Sequence, residues 1–184
     1  MQEAFYHFTE AGHKEKVGDI GDRLSNYYYE SSMYHTAFFY AGKAYELLGD
    51  ETPGVIFNFL GLIYQLYGRN DRALGLYKKS LAGYKESGDK KAEGTTLNNI
   101  SQIYDAQGDY ETALNYLEQD LKSDRDIGDI SGEAYTLFNM AMAYFEDDVN
   151  RLEEGLACLK QAAAINEQVK DAALAKALEP FIKR

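Results

Sequence analysis

The chain of 184 residues contains no tryptophan, one cysteine and two prolines. A lone Cys158 forms no internal disulfide, which makes a reducing compartment the simplest setting. Scarce proline suits a chain dominated by helices, because proline removes a backbone donor and clashes with the preceding turn. Long apolar runs are missing as well. The first twenty residues carry Glu3, Glu10, Lys14, Glu15 and Lys16, leaving no hydrophobic stretch for a signal peptide, and no segment is apolar enough to span a bilayer. A cytoplasmic protein is expected. Basic charge is the minority: 19 Lys and Arg stand against 30 Asp and Glu, a net −11. Such a field repels phosphate backbones and anionic lipid, so neither nucleic acid nor a membrane is an expected partner.

What is present is apolar residues at 45%, with 16 tyrosines and 16 glycines, and they recur with a period. Tyr64, Tyr104 and Tyr144 are separated by 40 residues, as are Gly68 and Gly108, and the pairs Gly88-Asp89 and Gly128-Asp129. Around each tyrosine the same spacing of three and four returns: Phe57, Leu60, Tyr64; Leu97, Ile100, Tyr104; Leu137, Met140, Tyr144. That spacing places each trio on one side of a helix. A turn follows, and then a second amphipathic stretch with Ala73, Tyr77 and Leu81, or Ala113, Leu117 and Leu121. Each unit therefore reads as a helix-turn-helix hairpin.

These residues resemble the tetratricopeptide repeat (TPR). Its pattern of a large apolar residue, Leu-Gly, Tyr, a small residue after the turn and an aromatic four positions later is filled by Phe57, Leu60-Gly61, Tyr64, Ala73 and Tyr77. Leu97, Ile100-Ser101, Tyr104, Ala113 and Leu117 follow it. So do Leu137, Met140-Ala141, Tyr144, Gly155 and Leu159, with a longer turn from Glu146 to Glu154, and an earlier unit runs through Leu24-Ser25, Tyr28, Ala37 and Ala41. The resemblance implies an all-α, right-handed superhelical solenoid of hairpins. The long units look like kinesin light chain and Pins-type scaffold TPRs, and equally like the TPR domains of bacterial signalling and transcription regulators. Gly-Asp replaces the closing proline: the glycine ends one helix and the aspartate caps the next.

The expected organisation is a single array over 1–184 with repeat units at 19–48, 51–87, 90–127 and 130–169. Residues 2–16 read as a second helix without its first, ended by Gly18-Asp19. An apolar face of Ala4, Phe5, Phe8 and Ala11 would then continue a longer array or form a homodimer. Residues 171–183 read as a C-terminal capping helix.

In a TPR array the first helices line a concave groove. The stripe at i, i+3, i+7 and i+10 that should face it comprises Asp19, Asp22, Asn26 and Tyr29; Val55, Asn58, Leu62 and Gln65; Thr95, Asn98, Gln102 and Asp105; and Tyr135, Phe138, Met142 and Phe145. Asp19, Asp22 and Asp105 are acidic and none of these residues is basic. Amides offer both a donor and an acceptor, which suits the backbone of an extended peptide whatever its sequence. In similar scaffold TPRs an Asn-Asn pair holds the ligand main chain, and the resemblance carries this onto Asn98 and Asn99, with Asn139 matching the second position and Phe138 departing at the first. Asn26, Tyr29, Asn58, Gln65, Asn98, Asn99, Gln102, Asp105, Tyr135 and Asn139 are thus the candidate peptide-binding residues. Their competing role is to satisfy neighbouring backbone groups at helix seams. The apolar stripe of the last unit is either a pocket for ligand anchors or the surface covered by the terminal helix.

The expected function is a non-catalytic module that binds an extended peptide or partner segment, neutral or basic rather than an acidic C-terminus, because chaperone-binding TPRs use groove Lys and Arg. The alternative is a regulatory or oligomerisation domain of a larger signalling or transcription-regulator protein. His7, His13 and His35 have no metal-ligand spacing, no Gly-rich run leads into Lys-Ser or Lys-Thr, and Cys158 has no histidine nearby in sequence. No catalytic residue, metal or cofactor is expected. Glu146-Asp147-Asp148 with Glu153-Glu154 lacks the spacing of a calcium loop and reads as a solvated turn. The run Asp120 to Asp129 reads likewise as a solvated helix face and cap.

Overall fold

The computed structural model describes residues 1–147 and 151–182, and among these residues helix is the only regular structure. The chain forms two compact units, Met1–Gly88 and Asp89–Arg184. In the first, α1 (Gln2–Glu10), α2 (Lys14–Glu30) and α3 (Tyr34–Leu48) lead through a short 3-10 turn at Gly49–Glu51 to α4 (Gly54–Leu66) and α5 (Asn70–Ser87). The second unit holds α6 (Lys90–Ala106), α7 (Tyr110–Ile127), α8 (Ile130–Asp147), α9 (Leu152–Val169) and α10 (Ala172–Ile182).

Local chemistry sets these boundaries. Gly88 and Gly128 take positive φ (74° and 70°) at the ends of α5 and α7, a conformation that costs glycine little. The aspartates that follow cap the next helices: Asp89 Oδ1 accepts from Ala92 N at 3.1 Å and Asp129 Oδ1 from Gly132 N at 2.9 Å. Asp109 caps α7 in the same way, accepting from Thr112 N at 3.2 Å.

The first unit closes around Phe5, Val17, Leu24, Ala37, Tyr40, Ala44, Ile56, Phe59 and Ile63. The expected break at Gly18-Asp19 is absent. The chain turns instead at Gly12, with φ +69°, and α2 runs from Lys14 through Gly18, which packs near Leu48 and Pro53. Nor does α1 lack a neighbour, since Phe5 is buried and meets the Tyr40 ring edge-on at 5.2 Å. In the α4–α5 hairpin the Tyr77 ring lies directly over Gly61, where a Cβ would sit 2.5 Å from Tyr77 Cε1.

The recurring tyrosines pack near the turns. Tyr28 stacks on Tyr40 at 5.6 Å, Tyr64 meets Phe38 edge-on at 5.5 Å, Tyr104 stacks on Tyr116 at 5.7 Å, and Arg151 lies over Tyr144 at 4.4 Å. In the second unit, Ala134, Leu137 and Ala141 of α8 pack with Leu159 and Ala162 of α9 and with Leu174 and Leu178 of α10. Residues 148–150, which include part of the long turn and Asp148 of the acidic run read above, lie outside the described residues, as does Lys183.

Candidate binding site on the second unit

Helices α6 and α8 carry the first-helix stripes of the second unit, and α7 lies beneath them. Together they line a pocket of about 420 Å³. Thr95, Asn98, Asn99 and Gln102 enter from α6, and Gly132, Tyr135, Thr136 and Asn139 from α8. Lys91, Asp120, Asp124 and Asp129 complete it. Five of the ten candidate residues therefore meet at one place. Asp105, with Ser101, Gln102, Leu117, Asn139 and Met142, lines a smaller neighbouring hollow of about 70 Å³.

The amides form a chain. Gln102 Nε2 donates to Asn98 Oδ1 at 2.7 Å, and Asn98 Nδ2 donates to Asp120 Oδ2 at 3.4 Å. Asn99 is buried at the pocket wall, whereas Asn98 and Asn139 are half-buried and Gln102 is exposed. Tyr135 donates its hydroxyl to Asp171 Oδ1 at 2.9 Å, and Asp171 Oδ1 also accepts from Leu174 N at 2.8 Å as the cap of α10. The capping bond, followed by the tyrosine hydroxyl, holds the Asp171 carboxyl below the usual carboxylate range.

The remaining four candidates belong to the first unit. Asn26 Nδ2 donates to Asp22 Oδ1 at 3.0 Å, and Tyr29 meets Tyr34 and Phe59 edge-on, each at 5.4 Å. Gln65 Oε1 accepts the buried Tyr77 hydroxyl at 2.7 Å, an internal role for that amide. Asn58 is half-buried on α4. The apolar stripe of α8 packs against the unit's core, and Phe145 stacks on Phe181 of α10 at 6.0 Å.

The pocket floor departs from the sequence reading. Asp120 and Asp124 are not solvated: they are 4% and 7% exposed. Thr136 Oγ1 lies 3.0 Å from Oδ2 of each. Two glycines make room for them, since a Cβ on Gly94 would meet Asp120 Oδ1 at 2.6 Å and one on Gly132 would meet Asp124 Oδ1 at 2.5 Å. Burial, reinforced by the Asp124 charge and opposed by the bonds from Thr136 and Asn98, pushes the Asp120 carboxyl up to about 7. Burial also pushes Asp124 up to about 6, against the Thr136 bond and with Asp129 and Glu133 adding to the rise. Of the residues lining the pocket, Lys91 alone is cationic, and it pairs with Asp129 at 3.4 Å. It lies outside the stripes, which count only one face of each first helix.

These carboxyls give stability a pH dependence of known sign. Acids with raised folded-state pKa values bind more protons folded than unfolded, so their contribution is complete below about pH 4 and is lost as pH rises toward 7. The melting temperature of the second unit is expected to fall across that window, and Asp120→Asn to flatten the fall. An equal slope in the variant would contradict the assignment.

Cys158 is half-buried, and burial raises its thiol above the ordinary range, the opposite of an activated nucleophile. Among the described residues no group of three or more His, Cys, Asp or Glu could hold a metal ion, and no helix is long and apolar enough to cross a membrane.

The sequence profile of the tetratricopeptide repeat matches residues 54–126. No curated protein matches the sequence. Among solved structures, aspartyl phosphate phosphatase F from Bacillus subtilis superposes with a TM-score of 0.80 at 15% identity over 90% of this chain, which spans 44% of that one. BtubC from P. vanneervenii gives 0.63 at 17% identity, covering 96% of this chain and 85% of that one. Kinesin light chain TPR-like repeats from Podosopora anserina give 0.63 at 16% identity, covering 92% and 95%. At these identities the likeness is one of fold.

Proposed function

We propose that this chain, which has the tetratricopeptide-repeat fold and matches that repeat's profile over residues 54–126, is a non-catalytic protein-interaction module whose second unit holds an extended partner segment in the pocket between α6 and α8. The reading is supported by one observation above the others: Asn98, Asn99, Gln102 and Asn139, amides suited to main-chain pairing, line a single pocket together with Tyr135. Side-chain amides meet both the N–H and the C=O of a strand without regard to its side chains. The carboxyls of Asp120, Asp124 and Asp129 outnumber the single ammonium of Lys91 there, which favours a neutral or basic segment over an acidic one. Tyr135 supplies an aromatic wall, its ring fixed by the bond to Asp171.

The test compares capture from native lysate by the wild-type chain and by Asn98→Ala/Asn139→Ala. Each hydrogen bond to the partner is worth about 0.5–1.5 kcal/mol, so the double variant is expected to lose roughly tenfold in affinity with its melting temperature kept. Recovery of the same partners by both baits would remove the groove assignment. A fall in melting temperature with unchanged capture would make the two asparagines structural.

A further inference from the structure

The floor of the pocket contains a hydrogen-count mismatch. Thr136 Oγ1 stands 3.0 Å from Asp120 Oδ2 and 3.0 Å from Asp124 Oδ2, but a hydroxyl carries one hydrogen. It can donate to one carboxyl only. The other contact becomes a hydrogen bond when that second carboxyl carries a proton and donates to the hydroxyl oxygen; with both ionised, two buried oxygen lone pairs face each other with no hydrogen between them.

The charges around the pair relieve this only in part, through Lys91, which favours an ionised Asp124. On α6, the ammonium of Lys91 is shared with Asp129, and Lys90 is bound to Glu93 at 2.7 Å. From the start of α8, Asp129 and Glu133 add negative charge, and Arg125 of α7 is spent on Glu133 at 2.7 Å. Gly94 and Gly132 bring helix backbone up to the other oxygens of the pair. Burial and this negative surrounding favour the neutral form.

The proton's position reaches the groove through Asn98. An ionised Asp120 only accepts, which holds the Asn98 Nδ2 at the floor and leaves Oδ1 toward Gln102 at the pocket's rim. A protonated Asp120 has given its hydrogen to Thr136, so its Oδ2 accepts more weakly and holds the Asn98 amide less firmly at the floor. We propose that Asp120, Thr136 and Asp124 share one proton near neutral pH and that its loss to solvent tightens the hold on the Asn98 amide, making this pocket pH-responsive. The consequence for a partner segment rests on the groove reading above, whereas the shared proton and its effect on the amide do not.

The experiment therefore needs no ligand. In the isotope-labelled full chain, the carboxyl carbons of Asp120 and Asp124 and the side-chain amide of Asn98 are followed by NMR from about pH 4 to 8.5. The pair is expected to lose its last proton above about pH 6, with the Asn98 amide moving at the same midpoint. In Asp120→Asn the Asn98 step disappears and Asp124 titrates at lower pH. In Thr136→Val, which removes the bridge and keeps both acids, the shared step moves by about half a unit or more. Two carboxyls fully ionised by about pH 5.5, an Asn98 amide that ignores the step, or a step unchanged in Thr136→Val would each overturn the proposal. Because these signals are read without a partner, their failure leaves the groove assignment standing, and loss of capture by the asparagine variant leaves the proton intact.

Discussion

Replacing Tyr77 with alanine is expected to destabilise the unit Met1–Gly88 by about 3–5 kcal/mol, the range for deleting a large buried aromatic. The Tyr77 ring is fully buried, fills the space above Gly61 and donates its hydroxyl to Gln65. Truncation leaves a cavity between α4 and α5 and strands the Gln65 carbonyl. Tyr77→Phe keeps the ring and loses only the hydrogen bond, about 0.5–1.5 kcal/mol. The reverse insult, Gly61→Ala, pushes a methyl into the ring and should cost about 1–3 kcal/mol. Denaturant unfolding of the full chain, read by hydrogen exchange at α4 and α5, separates the three variants. A Tyr77→Ala protein within about 1 kcal/mol of wild type would mean that the hairpin can collapse around the gap.

Leu174→Ala is expected to cost the second unit about 2–5 kcal/mol and to loosen α10. That helix is tied down at its start by Asp171 and along one face by Leu174 and Leu178, both fully buried. Its docking covers the apolar stripe of α8 and fixes the Tyr135 hydroxyl through Asp171. The variant should therefore lose hydrogen-exchange protection at Ala175 to Leu178 while the amides of α6 keep theirs. Continued protection of α10 would show that the cap residue and Leu178 suffice.

The hairpins were legible because their signal is redundant. Tyr64, Tyr104 and Tyr144 mark the turn end of each first helix, and Gly88-Asp89 and Gly128-Asp129 mark each junction by a positive φ and a side-chain cap. The start of the chain was harder, since Gly12 and Gly18 are both glycines six residues apart and only one of them bends the backbone. Gly18 lies within α2 with room for a Cβ at ordinary contact distance from Leu48 and Pro53, so it neither ends the helix nor answers a close approach.

The acidic floor shows a different limit. Asp120 and Asp124 lie in a stretch with Glu118, Lys122, Arg125 and Asp126, and charge-rich helices are mostly solvated. What set these two apart was in other helices: Gly94 and Gly132, each inside a helix where glycine costs about 1 kcal/mol relative to alanine. At these two glycines the close neighbour is a buried carboxyl, whereas Gly42 of α3 and Gly75 of α5 have nothing near them, so glycine alone did not mark the site. The stripe rule found the amides of α6 and α8 because those side chains leave the helix on one face; it passed over residues rising from α7.

The central claim is that the pocket of the second unit, and no other face of it, receives a partner segment. Site-specific photocrosslinking tests this most directly, with the crosslinker placed at Thr95, an exposed residue lining the pocket, or at Gln119, exposed on α7 and not among the lining residues. Partner adducts from Thr95 that are absent from Gln119, and that vanish when Asn98→Ala/Asn139→Ala is added, are the predicted result. Adducts of equal yield from both positions, or from Gln119 alone, would contradict it.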